Sequence, residues 1–519
     1  MAVSNSRTLR SIKNAEVSLI YYFLQLILGF FSRKAFFDYL GSEILGLNTT
    51  ASNLLGFLNL AELGVSAAVG YFLYQPLYEK DHEKLNKLVT IQGWIYRKIA
   101  FTIIGAAIIL MIFFPMIFSK SPLPIWYAYC TFGILLFSSM LGYFFNYKQI
   151  VLYADQKNYL IQRYSQGINI LKTIIQILAI SYSRFPFFSW LTIEFIGTII
   201  STLLINYILK KEYPWLKTNI KEGKLYIKEY PEIIKKTGQA FFHRIGGVIL
   251  NQSSPLILYA FTSLSTVALY GNYVLIVGKI TTLLGAIFNS TSAAIGNIVA
   301  SKDTSKIKQV FWELYDTRLY FTLIVLLSLY DLINPFISIW LSEKYCFTET
   351  FIILFLILNS ISLTRTTVDN YINAFGLFKD IWSPLVEAAL NIGLSILLGH
   401  YFEINGIIGG IILSQIFIVL IWKPYFLFTN GFHENPRTYF CATIYRYLIC
   451  TVFFIATNYF FDNIFNEKVT GVQDFIIRSL IVTVTCFIFV TIIFYILFPG
   501  FRRFIQRIKW VIFKNKQNK

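Results

Sequence analysis

The chain has 519 residues, 56% of them hydrophobic, with a mean hydropathy of +0.60 and only 14% charged. A soluble globular protein carries about 25% charged residues. Here charge is confined to short patches between apolar runs such as 99–118, 125–145 and 476–498, which reach the ~20 residues needed to cross ~30 Å of hydrocarbon. The formal charge of +18 is segregated by loop, as in the cytoplasmic loops of membrane proteins, which argues against a nucleic-acid partner.

At the start of the chain, Arg7, Arg10 and Lys13 precede an apolar stretch as in a signal peptide. No small-residue cleavage site follows, so the segment is read as a retained first helix. Fourteen spans are predicted in order: 15–33, 44–74, 94–118, 123–147, 159–183, 186–209, 240–261, 266–298, 317–340, 349–375, 382–400, 404–428, 441–461 and 473–498. Span 240–261 is the least apolar and is kept because dropping it spoils the alternation of loop charge. With the N-terminus cytoplasmic, the inside segments hold 33 of the 45 Lys and Arg. The outside loops hold Arg33, Lys34, Lys120, Arg184, Lys344 and Lys468. That asymmetry predicts an even number of spans with both termini in the cytoplasm. The longest inside segment, 210–239, is basic and expected to be partly helical along the membrane surface. No extramembrane stretch is long enough to fold alone.

Offsets near 222 recur along the chain: Asp81 with Asp303, Lys84 with Lys306, Lys157 with Lys379, Asn169 with Asn391, and Asn48 with Asn272 at 224. Each pair falls at the same place in the topology, so spans 1–6 correspond to spans 7–12 in a parallel repeat. The predicted fold class is an all-α polytopic membrane protein of about 14 transmembrane helices: two six-helix bundles plus two C-terminal helices. Its parts are an N-terminal bundle (1–209), a basic connector (210–239), a C-terminal bundle (240–428), two additional helices (429–498) and a basic tail (499–519).

Several chemistries lack their residues. Cys130, Cys441, Cys450 and Cys486 lie in or beside apolar runs and Cys346 in a loop, without disulfide or CxxC spacing. Four scattered histidines argue against a His-rich metal site, and no Gly-rich phosphate loop precedes a Lys-Ser/Thr pair. No metal, no cofactor and no enzymatic activity are therefore expected.

Polar groups inside a membrane face protein or water. Asn48, Ser52, Gly56, Asn59, Glu62, Ser66 and Gly70 recur at helical spacing in the second span, predicting one polar face. Asn272, Lys279, Thr282, Asn289, Ser292 and Gly296 do the same in the eighth. The first span offers Asn14, Ser18, Gln25, Gly29 and Ser32, and the seventh Arg244, Gly247, Asn251 and Ser254. Small residues on such faces also serve helix packing. A charge at depth costs on the order of 3 kcal/mol or more, so Glu62, Arg244 and Lys279 point to a cavity. A mixed cluster of net positive charge there suits an anionic head group entering from the cytoplasm. Lys172 and Glu194 reach similar depths on adjacent spans and are expected to form a structural ion pair. Arg365 and Asp369 stand four apart and can pair locally. Asp331 and Arg478 sit near outside ends, where they can snorkel, and Glu387 lies near the inside surface.

The stretch from Arg33 through LGSEILGLNTTASNLLGFLNLAELGVSAAVGYFLYQPL resembles the polysaccharide-transporter branch of the multidrug/oligosaccharidyl-lipid/polysaccharide flippase superfamily. It is most like bacterial O-antigen and capsular repeat-unit flippases, with LG-x-E-x-LGLN and AELG as the telling pieces. The resemblance implies a cavity between the bundles lined by the first, second, seventh and eighth helices. It also implies alternating access in the bacterial cytoplasmic membrane, moving a polyprenyl-pyrophosphate-linked oligosaccharide outward while the lipid tail stays in the bilayer. Its cavity residues here would be Arg33, Asn48, Asn59, Glu62, Arg244, Asn251, Asn272, Lys279 and Asn289, with Arg33 either a gate element or an interfacial anchor. A coupling ion, H+ or Na+, and polysaccharide polymerase partners stay open. Two competing readings are a drug/cation antiporter of the same superfamily, which calls for an acidic cavity, and a membrane glycosyltransferase or polymerase, which calls for a sizeable outside loop.

Overall fold

A computed structural model of the chain describes residues 2–289, 295–296, 298–299, 301–377, 380, 382–465 and 469–517. The described residues form helices and connecting loops without strands, and they divide into two units, Met1–Ala268 and Leu269–Lys519. The first holds α1 (Ala2–Tyr39), α2 (Gly41–Leu58), α3 (Val65–Glu79), α4 (His82–Ile112), α5 (Trp126–Phe144), α6 (Ile150–Ala154), α7 (Gly167–Tyr182), α8 (Pro186–Glu212), α9 (Gly223–Glu229) and α10 (Glu232–Phe261). Helix α11 (Leu264–Asn289) starts at the end of the first unit. The second unit continues with α12 (Thr304–Trp340), α13 (Glu349–Ala374), α14 (Trp382–Gln415), α15 (Pro436–Ile464), α16 (Val472–Leu497) and α17 (Pro499–Gln517).

Among the described residues, nine helices are long and apolar enough to cross a membrane, and one of them, Trp382–Phe432, contains both the eleventh and twelfth expected spans. The other four expected spans (15–33, 44–74, 159–183 and 240–261) are also largely helical, but polar residues interrupt their apolar runs. The chain is a multi-pass membrane protein. Helix α16 shows how its surfaces are divided. Val482, Cys486, Val490 and Phe494, four apart, are fully buried against Leu319, Leu323 and Leu327 of α12. Leu480, Val484, Phe487 and Ile488 between them are exposed, a surface suited to lipid. Lipid tails are as apolar as leucine, so such helices associate through close packing and buried polar contacts.

The repeat is visible in local geometry. Lys80 and Lys302, 222 apart, both take left-handed backbone (φ 56° and 57°). Each is followed by an aspartate that caps the next helix: Asp81 Oδ1 accepts from the Lys84 amide and Asp303 Oδ1 from the Lys306 amide, both at 3.0 Å. The sequence coincidences therefore mark one turn built twice, since a capping side chain must accept an otherwise orphaned helical N–H.

The second expected span departs from a continuous helix. It is α2, then a tight turn over Asn59–Glu62, then α3, with Gly64 at φ 96°. A Cβ at Gly64 would lie 2.6 Å from the Thr237 carbonyl oxygen and 2.9 Å from the Phe241 nitrogen. Gly46 and Gly56 are equally tight: a Cβ at Gly46 would lie 1.8 Å from the Leu264 oxygen, and one at Gly56 2.6 Å from the Gln252 side chain. These three glycines seat α2 and α3 against α10 and Leu264 within the first unit. The span at 240–261, set at the head of the second bundle by the repeat, thus packs in the first unit. The connector 210–239 includes the end of α8, an extended stretch, α9 and the start of α10.

In the second unit, α14 folds back on itself at Glu403 (φ 47°, ψ −128°). Gly406 and Gly410 allow the two arms to touch, because a Cβ would lie 2.0 Å from the Leu398 oxygen or 2.4 Å from the Ser395 nitrogen. Helices α15 and α17 dock on α12 through Asp316. Its carboxylate accepts from Arg446 Nε (2.6 Å), Arg446 Nη2 (3.3 Å) and the Gly500 amide (3.0 Å).

Candidate functional site

The turn between α2 and α3 opens a cavity of about 850 Å3 inside the first unit, bounded also by α4, α5 and α6. Six tyrosines line it: Tyr71, Tyr74, Tyr96, Tyr143, Tyr147 and Tyr153. Ser66, Gln92, Ser139, Asn146 and Gln149 add polar groups, and among the described residues Glu62 is the one charged residue in the lining. The broken span makes this possible, because a straight helix would keep the side chains of 59–66 on one regular face instead of turning them around the end of α2.

The polar groups interlock. The Tyr96 hydroxyl donates to Glu62 Oε1 at 2.6 Å and also meets Ser66 Oγ. Asn59 Oδ1 accepts from the Tyr143 hydroxyl at 3.0 Å and from Ser139 Oγ at 3.2 Å. The Tyr96 and Tyr143 rings meet edge to face, 5.3 Å apart, so that their hydroxyls serve neighbouring acceptors. At one wall, Tyr147 bonds Thr218 of the connector at 2.8 Å. At the rim, Lys236 Nζ stands 3.1 Å from the Tyr71 ring centroid, a cation–π contact that is strongest where water is scarce.

Of the residues singled out in the sequence, Asn59 and Glu62 come together here. Asn48 lies farther up α2 with its Oδ1 buried and without a hydrogen-bond partner among the described residues. Arg33 reaches from α1 to the Ala268 carbonyl, Nη2 to oxygen 2.8 Å. Asn272, fully buried, and Lys279, half-buried, lie on α11 in the second unit. The side chains of Arg244, Asn251 and Asn289 lie outside the described residues. From the first-span stripe, Asn14 bonds Gln156 and Tyr159 backbone, and Gln25 bonds Gln166, so these two polar groups tie α1 to the segment before α7. The tyrosines went unread in the sequence. Their one signal is abundance, 34 in the chain, since each alone reads as an interfacial side chain.

The buried charges form networks. Lys172 Nζ lies 2.7 Å from Glu194 Oε1, and Gln176 donates to the other carboxylate oxygen at 2.9 Å. In the second unit, Arg365 bridges Asp369 and Glu387, both at 3.2 Å, and Lys423 reaches Asp369 at 2.8 Å. Glu387 is thereby a partner of Arg365 in the interior. Asp331 and Arg478 face each other at 4.0 Å instead of reaching separately for the surface, because α12 and α16 pack together at that level. Arg318 is 2% exposed, and its guanidinium has no hydrogen-bond partner among the described residues; it faces the Phe288 ring at 4.9 Å and lies within the field of Asp369.

No protein-family model and no curated protein sequence matches this chain. Solved structures do. The chain superposes on lipid II flippase MurJ in an inward closed conformation with a TM-score of 0.60, covering 92% of this chain and 98% of that one at 17% identity. It also superposes on an inward-facing multidrug resistance MATE family transporter of the MOP superfamily, with a TM-score of 0.52, covering 77% and 93% at 12% identity. The chain shares the fold of these two proteins. Within that fold, the turn at 59–64 and the surrounding tyrosines form the polar cavity of the first unit.

Proposed function

We propose that the protein is a flippase that moves polyprenyl-pyrophosphate-linked oligosaccharide repeat units from the inner to the outer leaflet of a bacterial cytoplasmic membrane by alternating access, for O-antigen or capsular polysaccharide assembly. The observation that carries this reading is a polar cavity of about 850 Å3 inside a helical unit whose outer faces are apolar. Such a cavity lets a hydrated head group traverse hydrocarbon while its lipid tail remains in the bilayer. Three further observations support it: the fold shared with a lipid II flippase, the LG-x-E-x-LGLN and AELG pieces, and the asymmetry of loop charge, which favours both termini in the cytoplasm. On this reading Arg33, Asn48, Arg244, Asn251, Asn272, Lys279 and Asn289 also serve the substrate path, with Arg244 and Lys279 attracting the pyrophosphate.

A drug/cation antiporter is the second reading, favoured by Glu62 among aromatic rings and by the MATE likeness. Deletion of the gene in the native host separates the two. The flippase reading expects complete lipid-linked repeat units to accumulate facing the cytoplasm while surface polymer disappears. Arg244→Ala or Lys279→Ala is expected to impair export while the protein still inserts into the membrane. Normal surface polysaccharide after deletion, in a host without a second such carrier, contradicts the proposal.

A further inference from the structure

We infer that the tyrosine-lined cavity of the first unit is a carbohydrate subsite, which takes uncharged sugar rings of the cargo and leaves the pyrophosphate outside it. The inference rests on the flippase reading for the identity of the cargo, but the chemistry of the lining carries it.

Charge sets the cavity apart from a phosphate site. Among the described residues no Lys or Arg lines the cavity, so a pyrophosphate there would find none of the charge-assisted donors that hold such groups. Glu62 would repel it. At the rim, Lys236 covers the Tyr71 ring.

Hydrogen-bonding capacity points the same way. Glu62 accepts from the Tyr96 hydroxyl at 2.6 Å and also meets the Tyr143 hydroxyl, and a carboxylate has about four acceptor positions, which leaves room for a ligand. Gln92 is 2% exposed, lines the cavity, and has an Oε1 without a hydrogen-bond partner among the described residues. A buried acceptor left unmade is costly, and a ligand rich in hydroxyl donors would satisfy it. Sugars supply such donors in quantity, and exposed rings such as Tyr74 and Tyr153 offer apolar faces on which a pyranose can lie. The volume falls within the ~300–1,000 Å3 usual for small-molecule sites.

Ring geometry separates sugars from organic cations. A cation cage presents ring faces to the charge. Here Tyr96 and Tyr143 meet edge to face and direct their hydroxyls at Glu62 and Asn59, while Lys236 occupies the Tyr71 ring as a like charge against any entering cation.

The test uses the full chain in nanodiscs. The ligands are the oligosaccharide repeat released from the host's own surface polysaccharide and, separately, tetraphenylphosphonium. Wild type is expected to bind the oligosaccharide, and Glu62→Gln and Gln92→Leu to weaken it about tenfold or more, as loss of a buried polar contact does. Tyr74→Ala, at an exposed position that packing does not need, is expected to weaken binding while leaving the thermal midpoint unchanged. Tetraphenylphosphonium is expected not to compete. Saturable binding of tetraphenylphosphonium that depends on Glu62, or oligosaccharide binding indifferent to all three substitutions, overturns the inference. So does absence of oligosaccharide binding to folded wild type. The flippase reading is judged separately, by the lipid-linked pool after deletion, so either can fail alone.

Discussion

Asp316→Ala is expected to lower the stability of the detergent-solubilised protein by about 3–5 kcal/mol, the usual consequence of removing one partner of a buried ion pair. Asp316 is fully buried and gathers the Arg446 guanidinium from α15 and the Gly500 amide from the start of α17. Without it, Arg446 stays enclosed above the Trp312 ring, 4.2 Å away, with its charge uncompensated. The double variant Asp316→Ala/Arg446→Met is therefore expected to recover most of the loss, because it removes the stranded charge as well. Thermal unfolding of the three variants measures this. A single variant within about 1 kcal/mol of wild type would mean that this carboxylate does not fasten the C-terminal helices to α12.

Gly64→Ala is expected to cost a similar amount and, unlike the previous change, to abolish transport. Left-handed backbone at a residue with a Cβ costs roughly 1–2 kcal/mol. The Cβ would also press on the Thr237 carbonyl at 2.6 Å and Ala240 Cβ at 2.9 Å, and overpacking typically adds about 1–3 kcal/mol. The strain is relieved only by moving α3 away from α10 or by straightening the turn, and either moves Asn59 and Glu62 out of the cavity wall. Gly29→Ala is the matched control, since nothing lies within 4 Å of a Cβ at that position. Wild-type melting and transport in Gly64→Ala would remove the broken span from the account.

Much of the architecture could be read from the chain because the membrane imposes a length. Span 473–498 corresponds to Val472–Leu497 and span 349–375 to Glu349–Ala374, each a run that hydrocarbon alone would select. The reversal between 400 and 404 fell at Glu403. The second span shows where such reading stops. Its polar residues keep a helical rhythm from Asn48 to Gly70, and nothing local announces that Gly64 must turn left-handed. That demand comes from Thr237 to Phe241, more than 170 positions away in the sequence. The cavity was half legible for the same reason. Asn59 and Glu62 stand out as polar groups at membrane depth, whereas Tyr96 and Tyr143 pass as ordinary amphipathic side chains until a fold turns both hydroxyls onto those acceptors. Depth along a span also said nothing of azimuth. Asp331 and Arg478 are expected near helix ends, yet which way each faces depends on α12 and α16 packing together.

The central claim is that a sugar head group crosses the membrane through the polar interior organised by Glu62. Its most direct test is reconstitution of the full chain into liposomes bearing lipid-linked oligosaccharide on one leaflet, with the glycan labelled and its accessibility to an impermeant lectin followed in time. Wild type is expected to transfer the labelled glycan to the opposite leaflet, and Glu62→Gln to do so at least about tenfold more slowly, in line with the loss of a charged hydrogen-bonding group. Transfer at the protein-free rate, or at equal rates in wild type and Glu62→Gln, would contradict the claim.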